Sequence, residues 1–143
     1  MKLDLSPLEN AVAQLEDGLV QYDSHIVREF PQIRNQMRAG AIQAFEFTYE
    51  LSVGMIKRYL EQVSANPSEI EELSFRDLIR RAWQQGLLRS ELDSWMRHRA
   101  NRGTTSHTYN DERAERVFRG IPEFLEEARY VLGELQARNE RLD

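Results

Sequence analysis

The sequence predicts an all-α protein, an antiparallel bundle of about five helices. Three observations carry that expectation. Apolar residues recur at spacings of three and four, helix start and stop signals separate the segments, and no period-two strand, β-hairpin signal or internal repeat stands out. The short connections favour antiparallel packing of successive helices.

Ser6-Pro7-Leu8-Glu9 reads as an N-cap, a proline at the first helical position and a capping-box glutamate. Leu8, Val12, Leu15 and Leu19 follow at helical spacing, so the first helix spans Pro7 to Tyr22. The second is longer and more apolar, from Ala41 to Val63, with Pro31 as an earlier start that Asn35 and Gly40 weaken. Its stripe of Ile42, Phe45, Tyr49, Ser52, Ile56, Tyr59 and Val63 is widened by Phe47, Leu51 and Met55, which suggests several neighbours. Pro67 ends it.

Ser74 caps a third helix, with Asp77 three residues on, and Gly86 closes it. Ser90 is expected to cap a fourth, with Asp93 three residues on, and Gly103-Thr104-Thr105-Ser106 to break it. Asn110 or Asp111 caps the last helix, which Ile121-Pro122 should kink or split. Leu8, Leu51, Trp83, Trp95 and Phe118 are expected in the core.

The 143 residues fit a single domain, residues 1–143, long enough to hold a core without staples. With no cysteine there are no disulfides and no thiolate metal sites, which suits a reducing cytoplasm. Met1-Lys2-Leu3-Asp4-Leu5 lacks the apolar core of a signal peptide, and no run of about 18 apolar residues exists. The expectation is a cytoplasmic chain with no membrane partner.

A formal net charge of −5 argues weakly against nucleic acid, yet the charge is unevenly distributed. Arg97, Arg99 and Arg102 lie in a stretch with no acid, and Arg113, Arg116 and Arg119 share one helix face at i, i+3 spacing. Acids gather elsewhere, at Glu69, Glu71 and Glu72 and at Glu123, Glu126 and Glu127. Charge alone reads more readily as a solvated surface.

Chemistry concentrates at the junction of the last two helices, in Arg99-Ala100-Asn101-Arg102-Gly103-Thr104-Thr105-Ser106-His107-Thr108-Tyr109-Asn110. A histidine moves protons near neutral pH, and an arginine holds phosphate through a planar fork of donors. Together they suit phosphodiester chemistry without a metal. Spacing alone leaves a local hydrogen-bonding histidine as the more common reading.

Two segments add a resemblance. Ala44-Phe45-Glu46-Phe47-Thr48-Tyr49-Glu50-Leu51, with Lys57-Arg58-Tyr59-Leu60 downstream, and Arg102 to Asn110 are similar to the HEPN superfamily. Phe75-Arg76-Asp77 and Ala82 to Leu87 fit as well, so the match covers Ala41 to Leu135. The branch resembled is that of small HEPN proteins encoded beside minimal nucleotidyltransferases, also called nucleotidyltransferase substrate-binding proteins. The resemblance implies a homodimeric helical domain that cuts RNA without metal or cofactor, transfer RNA being a fitting substrate. Its Arg-x4-His-x-Tyr motif falls on Arg102, His107 and Tyr109, the first two catalytic.

In that branch the protein is a toxin, and the partner nucleotidyltransferase, its antitoxin, attaches AMP to the tyrosine. RNA-backbone contacts are expected from Arg97, Arg99, Asn101, Arg113 and Arg116. The alternative is a non-catalytic subunit that binds substrate or nucleotide for a nucleotidyltransferase. One departure from the family pattern is Gly103, where a small polar residue usually follows the arginine; here Asn101 precedes it instead. Glu46 and Glu50 could orient Arg102 or form ion pairs.

Overall fold

The structure, a computed structural model, describes residues 2–142, and every regular element among them is helical. Seven α-helices follow in order: α1 (Ser6–Tyr22), α2 (His25–Glu29), α3 (Pro31–Val63), α4 (Pro67–Glu71), α5 (Phe75–Gln84), α6 (Leu92–Thr104) and α7 (Asp111–Asn139). A single 3₁₀ turn, Thr105–His107, joins the last two. Five of the seven have ten residues or more, matching the expected count; α2 and α4 are single-turn connectors.

The helix α3 starts at Pro31 rather than Ala41. Proline suits the first helical position, and it holds Phe30 extended at φ −126°. Gly40 costs this long helix about 1 kcal/mol without breaking it.

Two predicted caps hold. Asp77 N–H donates to Ser74 Oγ at 3.2 Å, and Arg113 N–H donates to Asn110 Oδ1 at 3.1 Å. Two others do not. Ser6 lies inside α1, with Leu5 at the cap position, and its N–H donates to Asp4 Oδ1 at 3.1 Å. Ser90 is drawn to a buried acid instead, donating at 2.7 Å to Glu127 Oε1, and Glu91 takes the cap position of α6.

The segment Gly103-Thr104-Thr105-Ser106 ends α6 as expected: the α-helix stops at Thr104, whose Oγ1 donates to the Ala100 carbonyl at 3.0 Å, and the chain tightens into the 3₁₀ turn. Two further expectations are corrected. Pro122 does not split α7, which runs from Asp111 to Asn139 with Ile121, Phe124 and Leu125 buried on either side of it. Trp83 is 41% exposed, and Leu78, Ile79 and Ala82 face inward in its place. Leu8 and Trp95 are fully buried, and Leu51 and Phe118 pack partly buried against the core.

Contacts give the topology. Gly18 lies beside Ala41, and Thr48 Oγ1 donates to the Ala11 carbonyl at 3.2 Å, so α1 and α3 are antiparallel. Trp95 meets Phe124, and Asn101 meets Gly120, so α6 and α7 are antiparallel too. Arg38 pairs with Asp111 and Glu115, Phe45 with Phe124, and Arg138 with Tyr59, which makes α3 and α7 parallel. The helices α1 and α7 run antiparallel, from Glu16–Arg129 to Leu3–Asn139. Leu3 N–H donates to Asn139 Oδ1 at 2.7 Å, and Asn139 Nδ2 returns a bond to the Leu3 carbonyl at 3.0 Å.

The centre of the core is aromatic. Phe124 meets Phe45 edge-on at 5.0 Å between centroids, Trp95 at 6.1 Å and His98 at 5.2 Å. Such edge-to-face pairs stabilise by about 0.5–1.5 kcal/mol each beyond burial. Among the described residues, no helix is long and apolar enough to cross a membrane.

Candidate functional site

Arg102 occupies the last turn of α6, where a cation faces the negative helix end. Its guanidinium is held from two sides. On the α3 side, Nη2 pairs with Glu50 Oε1 and with Glu46 Oε2 at 3.4 Å. Glu46 and Glu50 are four residues apart and so share a helix face. On the turn side, Nη1 donates to Thr105 Oγ1 at 3.2 Å, and that hydroxyl donates to the carbonyl of Arg102 itself at 2.8 Å. The bond with Glu50 raises the guanidinium pKa further, against a smaller opposing effect of burial. The side chain remains 30% exposed.

Thr105 is buried, and its carbonyl accepts from Thr108 Oγ1 at 3.0 Å. The 3₁₀ turn is thereby pinned at its start, and its last residue, His107, projects into solvent. Tyr109 follows, 85% exposed, with its ring 6.3 Å from that of His107 in an edge-on arrangement. The fixed arginine and exposed histidine stand five positions apart on one continuous helix-and-turn segment. Tyr49 lies beneath, and burial pushes its hydroxyl up to about 12 while the charges of Arg99 and Arg102 pull it back.

The expected RNA-contact residues fare differently. Arg97 is tied to Glu123 at 3.2 Å and to Ser94 at 3.0 Å, and Arg99 lies 4.6 Å over the Phe75 ring. Asn101 turns toward α7, so close that a Cβ on Gly120 would sit 2.5 Å from its Nδ2. Arg113 and Arg116 are exposed on the first turns of α7. Gly103 opens on space, with nothing beyond its own helix within 4 Å of a Cβ.

Two features lay outside the sequence reading. Arg38, 12% exposed, joins α3 to Asp111 and Glu115 (3.2 Å) at the start of α7. With Asn35, Ile42, Thr108, Tyr109 and Asp111 it lines a cleft of about 260 Å³ beside Tyr109. No local signal links residues 73 positions apart. The second is Thr105, which within the motif looks like one hydroxyl among four. Among the described residues, no group of three or more His, Asp or Glu side chains is placed to hold a metal ion.

Comparison with known proteins agrees with this architecture. A family model, "Nucleotidyltransferase substrate binding protein like", matches residues 3–137. The chain is 40% identical over 141 residues to the "Probable ribonuclease HepT" of Haemophilus influenzae, covering 97% of this chain and 96% of that one. It superposes with a TM-score of 0.88 on a solved Haemophilus influenzae structure described as a substrate binding domain of a nucleotidyltransferase. That pair is 36% identical over 93% of this chain and 99% of the other. A crystal structure from Thermus thermophilus gives a TM-score of 0.67 at 29% identity, covering 90% and 98%. The chain therefore belongs to the nucleotidyltransferase substrate binding protein-like family, the branch that its Arg-x4-His-x-Tyr segment resembles.

Proposed function

We propose that this protein is a ribonuclease toxin of a toxin–antitoxin pair, acting in the cytoplasm as a homodimer on RNA, with transfer RNA the substrate to try first. The observation that carries the reading is the pairing of an anchored Arg102 with an exposed His107 on one continuous helix-and-turn segment. The kinship to a relative named as a probable ribonuclease supports it.

The reaction is attack of a ribose 2′-oxygen on the adjacent phosphorus. His107 takes the 2′ proton, the O2′–P bond forms, the P–O5′ bond breaks, and a proton returns to O5′. The products are a 2′,3′-cyclic phosphate and a 5′-hydroxyl. General acid–base catalysis of this kind contributes about 10²–10⁴-fold. In a dimer, one His107 accepts the proton and the other donates. Arg102 stabilises the charge that develops on the phosphorane oxygens.

Tyr109 is the control point. Its exposed hydroxyl is open to a partner nucleotidyltransferase that transfers AMP from ATP and releases pyrophosphate. The added bulk and negative charge then repel the RNA backbone. Arg113 and Arg116 are the better-disposed RNA contacts; Arg97, Arg99 and Asn101 are partly committed within the protein.

The test is cleavage of total transfer RNA in EDTA by protein shown by mass to carry no AMP. Wild type is expected to cut, His107→Ala to lose at least about 10²-fold, and a fully 2′-deoxy substrate to stay intact. His107 is exposed, so the substitution leaves the fold in place. A second reading, a non-catalytic subunit that binds substrate for a nucleotidyltransferase, is favoured by the description of the Haemophilus structure. Intact RNA together with measurable nucleotide binding would select it.

A further inference from the structure

We infer that Thr105 and Glu50 are positioning residues for Arg102, together setting which edge of its guanidinium meets the phosphate. The inference rests on the ribonuclease reading above and extends it to two residues that touch neither substrate nor the reacting atoms.

The argument is a count of donors. A guanidinium has five N–H groups in a rigid plane. Both carboxylates of the α3 pair fall on one nitrogen, Nη2. Nη1 gives one hydrogen to Thr105 and keeps the other. Nε is buried with no hydrogen-bond partner. The carboxylates therefore anchor one corner of the fork, and the second Nη1 hydrogen is the donor left for a phosphate. An arginine placed only to bridge α3 and α6 would have no need of a third holder.

Thr105 is that third holder, and its geometry is specific. One hydroxyl accepts from the head of Arg102 and donates to the carbonyl of the same residue, folding the side chain back onto the end of its own helix. Thr105 also opens the turn that carries His107. Its hydroxyl thus sets the distance between the guanidinium and the imidazole, a quantity to which phosphoryl chemistry is sensitive. Serine can make both bonds; valine, of the same shape, can make neither.

Glu50 has a second effect. Its carboxylate, 55% exposed, stands where RNA phosphate approaches, so it opposes binding while it aligns the arginine. Its removal should act in opposite directions on affinity and turnover, which a purely structural ion pair would not do.

The experiment measures kcat and KM for a fluorophore–quencher oligoribonucleotide with the full-length, AMP-free protein. Thr105→Val is expected to lower kcat roughly 10- to 100-fold with KM little changed, and Thr105→Ser to restore most of it. Glu50→Ala is expected to lower kcat while KM falls; being exposed, it keeps the inference testable if the valine variant does not fold. Wild-type kcat in Thr105→Val or in Glu50→Ala would overturn the inference alone, as would serine and valine variants equally impaired. Wild type that cuts neither this oligonucleotide nor transfer RNA would overturn the ribonuclease reading, and this inference with it.

Discussion

At the scale of single residues, His98 shows how far burial alone can move a proton. It is 2% exposed, its ring is packed against Trp95 and Phe124, and its Nε2 has no hydrogen-bond partner. Burial holds it down to about 4, against a smaller upward pull from Glu123. In the unfolded chain it titrates near 6.5. Between those values the unfolded state binds the extra proton, so folding stability is full above about pH 6.5 and is lost as pH falls toward 4. The loss is roughly 3 kcal/mol. Urea denaturation from pH 7.5 to 4.5 should show it, and His98→Phe should flatten the slope over that range. An unchanged slope would mean that the imidazole finds a proton acceptor inside the fold. In the sequence, His98 is one member of an arginine-rich stretch and looks solvent-facing. Nothing local reveals that α6 turns it against Phe124, 26 positions away. Arg102, His107 and Tyr109 stand out in the sequence as candidates because their spacing is local. The bond from Arg102 to the Thr105 hydroxyl has no such signal, since Thr105 looks like any other hydroxyl of the segment.

At the scale of elements, helices were legible where capping chemistry was local, as at Ser74 and Asn110. They were misread where tertiary packing overrode it. Ser90 has the look of a cap, yet the buried Glu127 claims its hydroxyl. Pro122 has the look of a break, yet α7 runs through it from Asp111 to Asn139. Proline in a helix interior costs about 3 kcal/mol relative to alanine. Burial of Ile121, Phe124 and Leu125 offsets that cost here. Pro122→Ala should therefore stabilise the protein, by about 1–3 kcal/mol, seen as a higher midpoint in thermal melting. A lower midpoint would show that the helix needs a bend at this point. The turn at Gly86 is of the opposite kind: its φ of +75° is left-handed, and the glycine that closes α5 in the sequence is the residue this geometry requires.

At the scale of the whole molecule, the bundle was legible as a set of helices but not as a topology. Short connections foretell antiparallel neighbours, and α1/α3 and α6/α7 obey. The parallel pairing of α3 with α7 joins segments about 75 residues apart in the chain, beyond any periodicity. That pairing puts Arg38 and the start of α7 beside Tyr109. As a proposed homodimer, the protein should elute in light-scattering chromatography at twice its 16.8 kDa chain mass. A monomer at micromolar concentration would count against two histidines sharing one cleft. Electrostatics belongs to this scale too: as a proposed RNA binder, a chain of net charge −5 would hold RNA only through local basic faces, so binding should weaken steeply with salt.

The bonds between Leu3 and Asn139 have a consequence for protein engineering. The helix α7 places that pair about 40 Å from its own start, where Tyr109 stands, at 1.5 Å of rise per residue. A short linker across the pair would close the chain into a ring remote from the reacting groups. Opening that ring at the Gly86 turn would yield a circular permutant with every helix intact. Reporter domains fused beside Leu3 or Asn139 would likewise ride at the far end of the bundle, clear of the proposed RNA site.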